Sequence, residues 1–287
     1  MHRVQDIDLI GIDFTCAPSK RKPIALARGQ WVDGGLLVGE LHSLTQLNQL
    51  EDFLKVGFSR PFVSAIDMPL GLPRKLVDGL KWPGAGRADW HAWRDLIQFY
   101  SALKREQIRS IFKAWCDARP AGHKFAHRRC DKPAGSSPSM KWVNPPVAYM
   151  LHAGAPLLMN ANVYIPGMQQ GDPLRVVLEG YPGFLARKVL GRQSYKTDDD
   201  IKDSADRRMA RSELLCALEE GMLFGIRLRV RPYLRARLLE DGKADHLDAV
   251  LCCLAAAWGH KRADLNYGLP PVIDPVEGWI VGVVDSI

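Results

Sequence analysis

The sequence lacks the features that define several large classes of protein. It has no apolar run of about eighteen residues or more, the length that a membrane-spanning helix needs, and no apolar segment near Met1 that is typical of a signal peptide. Its six cysteines include no C-x-x-C pair, which argues against a disulfide-rich scaffold. No G-x-S-x-G element is present, so a serine hydrolase of that kind is not expected. We therefore predict a cytoplasmic protein with no membrane partner.

Basic residues only modestly outnumber acidic residues. Lys and Arg together number 39 against 32 for Asp and Glu, which gives a net charge of +7. This excess permits a polyanionic partner such as nucleic acid, but it is also common in proteins whose basic side chains are merely solvated. Hydrophobic residues make up 47% of the 287 residues, so the chain can bury a substantial core.

The first third of the chain predicts three strands, a helix and a fourth strand. Alternating and apolar runs, turn residues such as Gly34-Gly35 and one helical periodicity indicate the elements. The strands are predicted at residues 9–14, 24–27, 36–41 and 62–67, and the helix at residues 45–56, with Thr45 as its N-cap. Acidic residues end the first and the fourth of these strands.

The middle of the chain has a different character. Aromatic and aliphatic residues at helical spacing follow residue 75, and we expect them to pack helices against one another. Residues 119–142 then carry six basic residues against the single acid Asp131. We interpret residues 75–168 as a helical and basic-loop insertion between strands four and five, flanked by core segments at residues 1–74 and 169–287. The side chains predicted to contact nucleic-acid phosphates are Lys124, Arg128, Arg129, Lys132 and Lys141.

The last third predicts a return to the sheet. Strands are expected at residues 174–179, 226–231 and 277–284, and helices at residues 184–190, 204–218 and from Asp245 to Trp258. Together with the first third, these elements predict an α/β fold in which helices flank a mixed sheet.

Five acidic residues stand at positions where a metal site would need them. Asp13, Asp67 and Glu179 end predicted strands, and Asp245 and Asp248 open a strongly apolar helix three residues apart. A carboxylate held against apolar surroundings costs several kcal/mol unless a cation or hydrogen bonds compensate it. We therefore expect a hard cation, Mg²⁺ or Mn²⁺, between these side chains. Each acid alone is more often a turn or capping residue.

Several motifs resemble a known family. Gly11-Ile-Asp13, residues 66–73, Glu179-Gly-Tyr-Pro182, the segment from Asp245 through the following apolar helix, and residues 128–138 are similar to the family called domain of unknown function 429. That family is expected to be ribonuclease H-like, in the Holliday-junction-resolvase branch. The resemblance implies a metal-dependent nuclease acting on DNA or RNA. The catalytic acids would be Asp13, Asp67, Asp245, Asp248 and Glu179, and the metal ligands would be Asp13, Asp67 and Asp248.

Other functions stay open at this point. Actin-like ATPases and sugar kinases share the same ancestral fold, but residues 13–16 lack the glycine that cradles phosphate in that class. A non-catalytic nucleic-acid-binding protein on the same fold is a third possibility. A zinc site of Cys116, His123, His127 and Cys130 matches no familiar ligand spacing. His246, between the two helix acids, is a candidate proton shuttle.

Overall fold

A mixed seven-stranded sheet organises the chain. The computed structural model describes residues 7–57 and 59–284, so the outer ends of the two predicted core segments lie outside the described residues. The strands, in chain order, are β1 (Asp8–Asp13), β2 (Ile24–Val32), β3 (Gly35–Leu44), β4 (Phe62–Asp67), β5 (Val163–Tyr164), β6 (Asp172–Glu179) and β7 (Leu228–Val230). Their order across the sheet is β5-β6-β4-β1-β2-β3-β7.

The sheet combines an antiparallel part with a parallel part. β1, β2 and β3 form an antiparallel meander, while β4 lies parallel to β1 and β6 lies parallel to β4. β1 is therefore central and carries neighbours on both edges, which agrees with its nearly continuous apolar sequence. The parallel pairing brings the carboxyl ends of β1, β4 and β6 to the same edge of the sheet.

Helices cover both faces of the sheet and form two cores. In chain order they are α1 (Leu47–Val56), α2 (Arg74–Gly79), α3 (His91–Ala102), α4 (Arg105–Asp117), α5 (Asp131–Ala134), α6 (Val147–Asn160), α7 (Pro182–Leu190), α8 (Ala205–Glu220), α9 (Pro232–Glu240) and α10 (Asp245–His260). Successive side chains of β1 alternate between the cores. Leu9 packs in the core with α7, α8 and α10, whereas Ile10 and Ile12 pack in the core with α1, α3, α4 and α6.

The packing of α10 on β1 depends on a glycine. A Cβ atom at Gly11 in β1 would lie only 1.8 Å from the carbonyl oxygen of Ala249 and 2.2 Å from the amide nitrogen of Cys253. Without that carbon, α10 packs directly on the backbone of β1. The first turn of α10 thereby comes close to the carboxyl end of β1, where Asp13 stands.

The predicted α/β class and the mixed, helix-flanked sheet are confirmed. Strand β4 has the predicted bounds, whereas β2 and β3 are longer than predicted and β7 is shorter. Helices α2 to α6 do lie between β4 and β5, but β5 falls inside the segment predicted as insertion. In the described part of the chain, no helix is long and apolar enough to cross a membrane.

Two local predictions are wrong. The closing strand predicted at residues 277–284 is reduced to one isolated bridge between Ile280 and Glu179, because Gly278 and Gly282 adopt positive φ and turn the chain. Thr45 is not the N-cap of α1: Gln46 is, and its backbone N–H donates to the Gln49 side chain.

Candidate active site at the ends of two parallel strands

Asp13 and Asp67 stand side by side at the carboxyl ends of neighbouring strands. They are the last residues of β1 and β4, and the parallel register places them directly opposite each other. Burial raises the pKa of Asp13 well above its ordinary value, and repulsion from Asp248 and Asp67 raises it further. Burial likewise raises the pKa of Asp67 to about 7, although Lys196 and a hydrogen bond with Asp13 oppose that shift. The pair therefore has the electrostatics of two carboxyl groups that retain a proton near neutral pH.

The first turn of α10 adds a third and a fourth acid. Asp248 is fully buried, and its Oδ1 accepts a hydrogen bond of 2.5 Å from the Tyr195 hydroxyl. Asp245 is half-buried, and its pKa is raised by burial and by repulsion from Asp241 and Asp248. Ala244 is the residue that caps the helix, so neither acid serves as the N-cap. The structure thus brings Asp13, Asp67, Asp245 and Asp248 together at one edge of the sheet.

Lys196 is the site residue that sequence reasoning missed. It lies in the loop between α7 and α8, and its Nζ contacts Oδ2 of Asp248. Burial disfavours the charged ammonium, but attraction to Asp248, Tyr195 and Asp13 raises the pKa of Lys196 well above its ordinary value. The Lys196 ammonium places a positive charge within the acidic cluster. A bound cation would compete with this ammonium for the same position.

Glu179 lies at the end of β6 but is engaged elsewhere. Its two carboxylate oxygens accept hydrogen bonds of 2.6 and 2.7 Å from the Arg128 guanidinium, and Oε2 also accepts one of 2.9 Å from the Leu70 amide. Both partners of the ion pair are almost completely buried. This placement favours a structural role for Glu179 over the predicted catalytic one.

Arg128 does not fit its predicted role as a phosphate contact. Besides Glu179, its guanidinium contacts Asp131, and only 3% of the residue is exposed. It is therefore committed to protein carboxylates. The other predicted contacts differ in placement. Lys124, Arg129 and Lys132 are exposed, whereas Lys141 is half-buried and donates to the carbonyl of Asn144.

Two adjoining cavities open over the acids. One of about 360 Å³ is lined by Asp13, Asp67 and Asp245 together with the amino groups of Lys22, Lys196 and Lys243. The other, of about 330 Å³, shares Asp67 and Lys196 with the first and adds Ser136, Ser137 and Tyr181. Each is of the size that holds a small ligand or one segment of a larger one.

The carboxylate oxygens of the cluster are of the kind that a hard cation binds, but their spacing is not yet that of a metal site. Carboxylate oxygens are the ligands that Mg²⁺ and Mn²⁺ prefer, and burial together with repulsion between neighbouring acids raises the pKa values of Asp13 and Asp67. Among the described residues, however, no three His, Cys, Asp or Glu side chains already converge as a metal-binding group. The same finding contradicts the zinc hypothesis for Cys116, His123, His127 and Cys130.

The contacts of His246 do not support its predicted role as a proton shuttle. Its Nε2 lies 3.2 Å from the Ser43 hydroxyl and its Nδ1 lies 3.8 Å from Oδ2 of Asp241. Both ring nitrogens therefore face groups outside the set of four acids.

Fold and site together define an α/β protein with a carboxylate–lysine cluster at the carboxyl ends of two parallel strands. Comparison with protein-family models adds one finding. The model described as "Protein of unknown function (DUF429)" matches residues 11–270, and the chain belongs to that family. Neither the curated proteins nor the solved structures contain a significant match to the chain.

Proposed function

We propose that this protein is a divalent-metal-dependent phosphodiesterase, a nuclease on a ribonuclease H-like fold. The observation that carries the proposal is that Asp13, Asp67 and Asp248 lie near one another at one edge of the sheet. Two of them end paired parallel strands, and the third is buried in the first turn of the helix that packs on Gly11. A cluster of carboxylates short of positive charge suits a metal-assisted hydrolytic site.

The strand arrangement supports the fold part of the proposal. An antiparallel meander continues through its first strand into a parallel pair, and the acids stand at the ends of that central strand and its parallel neighbour. A ribonuclease H-like nuclease needs its acids at these positions. In this proposal the helices between β4 and β5 are an insertion into the ribonuclease H-like core.

Each side chain of the cluster has a role in this proposal. Asp13, Asp67 and Asp248 would hold Mg²⁺ or Mn²⁺, and Asp245 is the outer member of the set. The metal, when bound, supplies activation of water and stabilisation of the leaving oxygen. The Tyr195 hydroxyl orients Asp248 through its hydrogen bond to Oδ1. Lys196 neutralises the cluster before the metal binds, and its ammonium can then pair with a phosphate oxygen of the substrate.

Nucleic acid is the partner that this chemistry implies. The exposed side chains of Lys124, Arg129 and Lys132 lie on the same loop segment as Arg128, which lines the second cavity beside Asp67. Contacts of this kind to phosphate position a strand without reading its sequence. They support binding of DNA or RNA but favour neither.

Calorimetric titration with Mn²⁺ tests the proposal. We expect the wild type to bind Mn²⁺ and Asp13→Asn to lose that binding, because the substitution removes an anionic ligand. The matched control is Asp264→Asn, which removes an exposed acid outside the site and should bind as the wild type does. Binding by Asp13→Asn with wild-type affinity, or no binding by the wild type at millimolar Mn²⁺, would contradict the proposal.

The contact between Lys196 and Asp248 favours one second candidate, hydrolysis without a metal. In that case Asp67, with its pKa near 7, would act as the general base beside the Lys196 ammonium. Hydrolysis of a phosphodiester or another ester that persists in excess chelator would favour this candidate. Loss of hydrolysis in chelator, restored by Mn²⁺, would favour the metal-dependent one.

A further inference from the structure

A third cavity lies on the insertion and has a strongly basic lining. It encloses about 390 Å³, and we call it the basic cavity. Its basic lining residues are Lys75, Arg119, His123, His127, Arg128, Arg129 and Lys132. Among the described residues, no acidic side chain lines it. The cavity therefore concentrates positive charge in a concave surface, where a bound anion meets several donors at once.

The chain around the basic cavity is held in place by buried contacts behind it. Residues 126 to 130 alternate between buried and exposed, so that His127 and Arg129 emerge on either side of the buried Arg128. Arg128 is fixed by Glu179 and Asp131, and the backbone N–H of Arg129 donates to Oε2 of Glu277 at 2.9 Å. The acids near this segment are thus engaged on its inner side, and the outer side presents cations.

Arg119 is oriented before any ligand arrives. Its Nη1 donates a 2.7 Å hydrogen bond to the carbonyl of Trp115 near the end of α4, and its guanidinium carbon lies 3.2 Å from the centre of the Trp115 ring. The remaining guanidinium N–H groups are left for a ligand. In the described part of the chain, neither Arg119, Lys75 nor Lys132 forms an ion pair with an acid. A preorganised guanidinium beside two ammonium groups matches the geometry and charge of phosphate.

We propose that the basic cavity binds a phosphate group, separately from the acidic cluster. Backbone phosphate of nucleic acid needs only exposed lysines, whereas several donors around one concavity suit a phosphate that can enter it from solvent, such as a terminal phosphate or pyrophosphate. The binding requires no metal and does not depend on the proposed nuclease activity.

Calorimetry with pyrophosphate in the presence of chelator tests this assignment. We expect the wild type to bind, and Arg119→Gln and Lys132→Gln each to weaken binding about tenfold, the effect of losing one charge-assisted contact. Arg109→Gln is the matched control, because Arg109 is an exposed cation of α4 outside the cavity. Using Lys132→Gln as well as Arg119→Gln guards against loss of folding, since Lys132 is exposed and its side chain forms no hydrogen bond or ion pair within the described residues.

Two results would overturn the assignment. One is no pyrophosphate binding by the wild type at millimolar concentration. The other is equal weakening by Arg109→Gln, which would show a general charge effect. Where binding is lost only in the cavity variants, competition identifies the source of the phosphate. Displacement of pyrophosphate by a 5′-phosphorylated oligonucleotide, but not by its 5′-hydroxyl form, assigns a nucleic-acid end. Displacement by neither supports a small phosphorylated ligand.

Discussion

Replacing Lys196 by Gln should strengthen metal binding, which is the opposite of what loss of a ligand would do. The Lys196 ammonium contacts Asp248, and it lowers the pKa of Asp13 and Asp67 by its attraction. A divalent cation entering the cluster must overcome this charge, whether the ammonium stays in place or swings aside. For charges of +2 and +1 about 4 Å apart, the repulsion is about 2 kcal/mol even with the dielectric constant of water. That value is a lower bound, because the Lys196 side chain is 47% exposed whereas Asp248 is fully buried.

Lys196→Gln should therefore bind Mn²⁺ at least about tenfold more tightly than the wild type. The assay is calorimetry at pH 8, where protons compete least with the metal for the carboxylates. Lys113→Gln provides a control for loss of one ammonium, since Lys113 is exposed, pairs with Asp117 on α4 and does not line the cleft. Unchanged or weaker binding by Lys196→Gln would refute the reasoning, because it would show that the ammonium and the metal do not share a position.

Two further perturbations test the electrostatics and the packing of the site. Asp67 has a folded-state pKa of about 7, raised from 3.8. Between about pH 4 and pH 7 the folded protein therefore binds more protons than the unfolded chain. Its stability falls as pH rises through that window. In urea unfolding with chelator, Asp67→Asn should therefore be more stable than the wild type at pH 8, by roughly 1–2 kcal/mol after allowance for the partial exposure of Asp67. At pH 4 the two proteins should be equally stable. An equal difference in stability at both pH values would contradict this. Gly11→Ala places a Cβ against the backbone of α10 and should destabilise the fold by about 3 kcal/mol or more, whereas Gly39→Ala, with open space at its Cβ, should cost about 1 kcal/mol or less. Equal unfolding midpoints for the two alanine variants would show that α10 does not rest on β1 in this way.

The acids of the site could be predicted because each stands at the end of an apolar strand or the start of an apolar helix. Asp13 and Asp67 each follow an apolar strand, and parallel strands end at the same edge of a sheet. Asp248 could be added because an apolar helix follows it and must pack on that sheet. Lys196 could not be predicted in this way. It stands in an irregular loop, and only the tertiary fold brings it to Asp248.

Charge alone did not reveal which basic residues face solvent. Arg128 and Arg129 are adjacent in the sequence and chemically identical, yet Arg128 is buried against Glu179 and Asp131 whereas Arg129 is exposed. The distinction comes from the buried–exposed alternation of residues 126–130, which a segment rich in Gly, Ser and Pro does not indicate in advance. The sequence of the segment predicts its net charge, and packing decides which of its basic residues are exposed.

The Arg128–Glu179 pair also explains why the acidic cluster carries the charge that it does. Glu179 ends the strand next to β4, and its charge contributes to the raised pKa of Asp67. Arg128 cancels much of that charge within the buried pair, so the acids left without their own guanidinium are Asp13, Asp67, Asp245 and Asp248. Lys196 contacts Asp248 and attracts Asp13 and Asp67, and Lys22 attracts Asp245. A divalent cation would reduce the remaining excess of negative charge, so in the proposed function a metal ion would compete with the protons on Asp13 and Asp67.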